Sequence, residues 1–340
     1  MNDSRRSQLK QWLIAQFSDE NLSLIALGGD AGFRRYFRFF INQQSYIAVD
    51  SPTDKCNNAA FISIQQKLKQ GGVLVPSIIE HDEQHGFFCL SDLGDVLLAD
   101  LLTEENMSDY YRQALAILPK ISSVPTTALS QYDQAFVQME LDIFEQWLVN
   151  QHLGIALSNE EQQQLQTCFD LLIANALEQP QVFMHRDFHS RNLMHFNNTI
   201  AVIDFQDAVC GPITYDIVSL LRDCYLKWPA EQVQALFEQY LKTLYAMADT
   251  LPFELVHYPQ TQWQRWFDLM GVQRHIKASG IFARLFHRDS KSGYLADIPL
   301  TLSYIVDVCA KYPELSFLKQ LVGDKIIPAV LNKTNKTESK

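Results

Sequence analysis

The sequence predicts an α+β fold: a small strand-rich N-terminal part, residues 1–93, and a larger helical C-terminal part, residues 94–331. Three observations carry that expectation. Before residue 93, apolar runs of strand length alternate with turns marked by Gly and Pro. From Thr103 onward the apolar residues recur at helical spacing over long segments. Within the helical part, residues 182–207 interrupt that spacing with three short strand-like runs.

Along the N-terminal part, Leu9, Trp12, Leu13, Gln16 and Phe17 mark one face of a helix over residues 5–17. Leu22–Leu27 reads as a strand entering Gly28-Gly29-Asp30-Ala31-Gly32, and Phe33–Phe40 and Tyr46–Val49 read as the next two strands. A glycine turn between strands lets backbone amides approach a phosphate, with Gly29 and Gly32 the candidates, although plain hairpins use glycine in the same way. Arg34, Arg35 and Arg38 beside it either reach a phosphate or decorate a solvated strand face. A helix is expected over 57–70. A strand at Val73–Ile79, broken by Pro76, belongs at a sheet edge. Gly86–Leu90 is a further strand, which the chain leaves through Ser91-Asp92-Leu93-Gly94.

In the C-terminal part the spacing predicts helices over 106–118, 133–152, 159–178, 213–226, 230–247, 261–288 and 299–310. Phe136, Met139, Ile143 and Trp147 form an expected core stripe, as do Leu236, Phe237, Tyr240 and Leu244. The polar, lysine-rich segment 332–340 is expected to be a disordered tail.

The chain has 340 residues, 47% of them hydrophobic, enough for a sizeable core. Its net charge of −11 argues against a nucleic-acid partner or an anionic membrane. Six scattered cysteines show neither a C-x-x-C nor metal-ligand spacing, so free thiols in a reducing cytoplasm are expected. The N-terminal MNDSRRSQLK lacks the apolar core of a signal peptide, and no apolar run reaches membrane-spanning length. Oligomeric state is not legible.

The chemistry gathers in residues 182–207. The strand-like Val182–Met184 leads into His185-Arg186-Asp187, with Asn192 five positions after Asp187. Two further runs, joined by Asn197-Asn198, read as a hairpin that delivers Asp204. Asp or Asn alone in such loops usually serves a turn. Together, in a strand–loop–strand setting, His-Arg-Asp-x-x-x-x-Asn followed by Asp-Phe is the catalytic and metal pair of kinases. Asp187 would accept the proton of an attacking hydroxyl. Asn192 and Asp204 would hold Mg²⁺, which needs only one or two protein oxygens besides phosphate and water.

HRDFHSRN, IDFQDA and GPITYDIVSLLRD resemble the aminoglycoside phosphotransferase and choline kinase superfamily. Within it, GDAGFRRYFR (29–38), SDLGD (91–95) and the stretch 267–299 are similar to bacterial sugar kinases of cell-wall recycling, which phosphorylate N-acetylmuramate and N-acetylglucosamine at the anomeric hydroxyl. The resemblance spans nearly the whole chain. It implies a protein-kinase-like two-lobed fold: residues 1–93 bind ATP, with Leu90, Ser91 and Asp92 at the adenine-binding hinge, and residues 94–331 carry catalysis and the sugar acceptor. It also implies that Asp216 braces the catalytic loop and that Asp207 either meets sugar hydroxyls or closes a local turn.

One kinase feature is missing. The third strand ordinarily carries a lysine that grips the phosphates and pairs with a helix glutamate. Here that slot holds Asp50, and residues 57–70 contain no acid. Either Arg35 or Lys55 takes over, or ATP is held differently. The stretch 271–291 carries Arg274, His275, Lys277, Arg284, His287, Arg288 and Lys291 against one acid, Asp289. Arg274, Lys277, Arg284, Arg288 and Lys291 fall within one quadrant of a helix, either as a solvated face or as a site for an anionic substrate. The expected activity is ATP- and Mg²⁺-dependent phosphorylation of those sugars. Phosphorylation of an aminoglycoside or another small alcohol is the alternative within the same chemistry, and a nucleotide-binding pseudokinase the alternative outside it.

Overall fold

The computed structural model describes residues 3–28, 32–255 and 257–338. The chain forms two compact units: Met1–Leu102 with Arg191–Ala208, and Thr103–Ser190 with Val209–Lys340. The residue-93 boundary read from the sequence lies inside the first unit, and the segment 191–208 joins that unit from within the helical part.

The first unit opens with helix α1 (Ser4–Phe17), where Asp3 caps the N-terminus by accepting from the Arg6 N–H. Five antiparallel strands follow, β1 (Ile25–Ala26), β2 (Arg35–Ile41), β3 (Gln44–Asp50), β4 (Ile78–Asp82) and β5 (Phe87–Ser91), ordered β1-β2-β3-β5-β4. Helix α2 (Asn58–Gln70) lies between β3 and β4 in the chain, and the Asn57 side chain caps it. Leu9 and Leu13 pack on Phe37, Phe39 and Phe87 of the sheet. The strand expected at 22–27 is paired only over Ile25–Ala26, while Leu22 and Leu24 before it lie buried in that core. β4 starts only after Pro76 and sits at the sheet edge, where a missing N–H costs no ladder bond.

Residues Leu193–Phe196 and Thr199–Val202 form a hairpin in this unit. Asn197 and Asn198 both take positive φ (49° and 57°), as the tightest hairpin turns require. The Val202 N–H donates to the Leu74 carbonyl, while Leu93, Met194 and Ala201 close an apolar cluster.

The second unit is organised around a 30-residue helix, Gln260–Asp289, most of which is buried. Gly280 lets the helix that begins at Gln134 approach: a Cβ there would lie 2.7 Å from the Ile143 carbonyl. That helix runs as α through Ile143 and continues as a π-helix over Phe144–His152. Its inward face is Val137, Glu140, Leu141, Phe144 and Leu148, not the expected stripe. Met139 is 52% exposed, and Phe136, Ile143 and Trp147 are half-buried. The error has a simple cause, because the buried face includes a carboxylate that a count of apolar residues omits. The stripe at Leu236, Phe237, Tyr240 and Leu244 is buried as expected.

The helix expected over 213–226 covers only Tyr215–Leu221. The chain turns at Arg222, and the Asp223 carboxylate accepts from the N–H groups of Ser190 and Tyr225. Of the polar segment 332–340, residues 332–338 belong to helix Ile327–Glu338, while 339 and 340 lie outside the described residues. All six cysteines are free thiols, five of them buried. Among the described residues no helix is long and apolar enough to cross a membrane.

Candidate active site

Strand Gln181–Met184 pairs with Val209–Pro212 and delivers His185-Arg186-Asp187 into a loop held at both ends. At its start, Asp216 accepts from the N–H groups of His185 (2.7 Å) and Arg186 (3.0 Å), the bracing expected from the sequence. Burial still pushes the Asp216 carboxyl up to about 7. At its end, Asp223 accepts from the Ser190 N–H (3.0 Å) and hydroxyl (2.5 Å). Arg186 has φ +77°, a left-handed conformation that costs a non-glycine residue about 1–3 kcal/mol and recurs at functional loops.

Beneath this loop lies a charge network that the sequence reading missed. Glu140, 1% exposed, accepts from Arg186 (2.8 Å) and from Lys277 Nζ (2.9 Å) at the same oxygen, Oε1. Its other oxygen accepts from the Tyr132 hydroxyl at 2.6 Å. Gln273 donates to that Tyr132 hydroxyl (2.8 Å), and Lys277 donates to the Tyr215 hydroxyl (2.9 Å). Two cations therefore share one buried carboxylate. Burial opposes charge on Asp187, but the positive charges of Lys277, His189 and Arg186 overcome it and hold the carboxyl below the ordinary aspartate value. An anionic Asp187 is the form a proton acceptor needs. The sequence signal was the excess of cations in 271–291, which demands a buried acid from another element.

Asn192 and Asp204 are brought together in the first unit, with Asn192 Nδ2 3.4 Å from Asp204 Oδ2. Asp204 has φ +62°, also left-handed, and is exposed. Gln206 Nε2 donates to Asp204 (2.8 Å) and to Asp207 (3.3 Å), which puts Asp207 in the same loop. Among the described residues no group of three or more His, Cys, Asp or Glu is placed to hold a metal. A carboxylate and an amide carbonyl are instead a hard-oxygen pair, which fits Mg²⁺ completed by phosphate and water. Asp187 belongs to the second unit.

The other candidates divide. Gly29 lies outside the described residues; Gly32 is exposed. Arg35 faces Asp50 across β2 and β3 and bonds both Asp50 (Nε, 2.9 Å) and Asp3. Asp50 is also held by Arg5 Nε at 2.8 Å. Lys55 stands over the Phe33 ring. Leu90 and Ser91 end the interior strand β5, and Asp92 accepts from Arg38 at 2.6 Å and 3.0 Å. On the central helix, Arg274 and Lys277 are 6% and 7% exposed, so the solvated-face alternative fails for both. Arg274 donates to the Cys224 thiol at 3.2 Å, and it meets no carboxylate at hydrogen-bond distance among the described residues. Arg284, ten residues further on, lies about 15 Å along the helix from Arg274, and Arg288 pairs with Asp289.

Residues 23–251 match the phosphotransferase enzyme family. An N-acetylmuramate/N-acetylglucosamine kinase of Pseudomonas putida is 38% identical over 334 residues, covering 95% of this chain and 97% of that protein. A protein of the same description from Pseudomonas aeruginosa is 38% identical over 335 residues, with the same coverage of each chain. Among solved structures, a choline kinase of Streptococcus pneumoniae superposes with a TM-score of 0.61 at 14% identity, covering 88% of this chain and 99% of that one. That last likeness establishes the kinase-like two-lobed fold.

Proposed function

We propose, for a chain that belongs to the phosphotransferase enzyme family, that it transfers the γ-phosphoryl group of ATP to the anomeric hydroxyl of N-acetylmuramate or N-acetylglucosamine. Asp187 accepts the hydroxyl proton, aligning the oxygen for attack on phosphorus. Asn192 and Asp204 hold Mg²⁺, which when bound neutralises charge on the phosphates. The hinge at Leu90, Ser91 and Asp92 meets the adenine, and Asp207 meets the acceptor. A cytoplasmic location fits both the need for ATP and the free thiols.

Arg274 carries the reading of the acceptor. It is a buried cation, in the unit that holds Asp187, bonded to a neutral thiol. The carboxylate of an N-acetylmuramate lactyl group suits it, because a planar guanidinium grips a carboxylate at two points. Lys277 is occupied by Glu140 and Tyr215, and Arg284 is remote, so both rank behind it. The same cations disfavour an aminoglycoside, which is itself cationic. A pseudokinase is disfavoured by the anionic Asp187 and the Asn192–Asp204 pair.

The test is ATP·Mg²⁺ with a panel of both sugars and aminoglycosides, followed by phosphorus NMR of the product. An anomeric phosphate is expected from the two sugars alone. Arg274→Ala should lower kcat/KM for N-acetylmuramate about 10–150-fold, the worth of a hydrogen bond to a charged group. N-acetylglucosamine, which lacks the carboxylate, should lose much less. Equal losses on both sugars would remove Arg274 from carboxylate recognition.

A further inference from the structure

We infer that Arg34 is the cation that grips the phosphates of the nucleotide, in place of the strand lysine that this chain lacks. The inference rests on the phosphotransferase reading and supplies what that reading leaves open.

Asp50 occupies the lysine's slot, and it is closed off by Arg5 and Arg35. Of the three arginines in residues 34–38, two are neutralised. Arg35 bonds Asp3 and Asp50, and Arg38 bonds Asp92 and Asp95. Arg34 differs, because its side chain meets only neutral oxygens: Ser51 Oγ at 3.1 Å through Nε and the Asn57 carbonyl at 3.4 Å through Nη2. The Ser51 hydroxyl donates to Asn58 Oδ1 at 2.5 Å, which turns its lone pairs toward Arg34. Nη1 has no hydrogen-bond partner among the described residues.

The guanidinium is also held by its face. It lies 5.3 Å from the ring centroid of Phe61 on α2, and Phe61 stacks on Phe205 at 5.2 Å. Phe205 follows Asp204 directly in the chain, so the ring pair ties Arg34 to the proposed metal residue.

The arrangement has a physical logic. In kinases, α2's counterpart holds the phosphate-binding lysine with a glutamate, which neutralises part of its charge. Here α2 carries no acid and holds Arg34 with a cap carbonyl and a ring face. The side chain is oriented while its charge is left for a phosphate, to which a guanidinium can donate twice.

Equilibrium binding of ATP, ADP and adenosine to the full-length protein tests this without any acceptor. Arg34→Ala should weaken ATP and ADP about 10–100-fold and leave adenosine unchanged. Arg34→Lys should recover part of the loss. If the alanine variant does not fold, Arg34→Gln, which keeps hydrogen-bonding capacity without charge, should give the same pattern. Wild-type ATP affinity in Arg34→Ala or Arg34→Gln would overturn the inference. Equal loss of adenosine, or selective ATP loss in Arg35→Ala instead, would also overturn it. Failure of both sugars as acceptors would sink the acceptor assignment and leave this binding pattern intact, so the two failures are distinguishable.

Discussion

Two carboxylates, Asp50 in the first unit and Glu140 in the second, each hold two cations, yet the two clusters do opposite things with charge. Asp50 is fully buried, but its partners Arg5 and Arg35 have side chains 34% and 40% exposed. Asp3 takes the far side of Arg35, so two acids meet two bases and the charges balance. Glu140 instead holds Lys277 and Arg186, whose side chains are 9% and 18% exposed, so that two buried cations share one carboxylate oxygen. The surplus positive charge falls on Asp187, next in the chain to Arg186. A closed cluster fixes geometry. An open cluster in a dry setting acts on its neighbour, and here that neighbour is the proposed proton acceptor.

The largest effect that follows is on turnover. Asp187→Asn removes the group on which the open cluster acts and changes little volume, so steady-state kcat should fall about 10²–10⁴-fold. Near-wild-type turnover would take Asp187 out of the role. The next effect is on stability. Glu140→Gln leaves two buried cations without their acid and should cost about 3–5 kcal/mol in denaturant unfolding. The matching change in the closed cluster, Asp50→Asn, leaves Arg35 paired with Asp3 and both arginines partly in water, and should cost less, about 1–2 kcal/mol. Similar costs at the two sites would erase the distinction between the clusters.

Much of this was legible before any coordinates. Asp187, Asn192 and Asp204 stand out because short strands flank them, and a strand's two-residue period leaves little freedom in where a loop begins. Asp216 was legible as the brace because its carboxylate sits at a helix start in the superfamily motif. Glu140 was not, since a lone acid on a helix that also bears aromatics reads as solvent-facing. The continuation of that helix in π geometry has no signature in the residues themselves. The early end of the helix at Leu221 depends on Asp223 capturing Ser190, which lies 33 residues earlier in the chain. Arg34 and Arg35 are adjacent and chemically alike, and only the register that sets Arg35 opposite Asp50 separates the neutralised arginine from the open one.

The most direct test of the open cluster is the pH dependence of kcat/KM in the wild type and in Lys277→Met. Asp187 must be ionised to accept a proton, so activity falls as pH drops through its pKa, which the cluster's charge holds low. Removing the Lys277 charge leaves Glu140 paired with Arg186 and should raise that pKa, moving the acid limb to higher pH. An acid limb that stays in place, whatever happens to the maximal rate, would contradict the account.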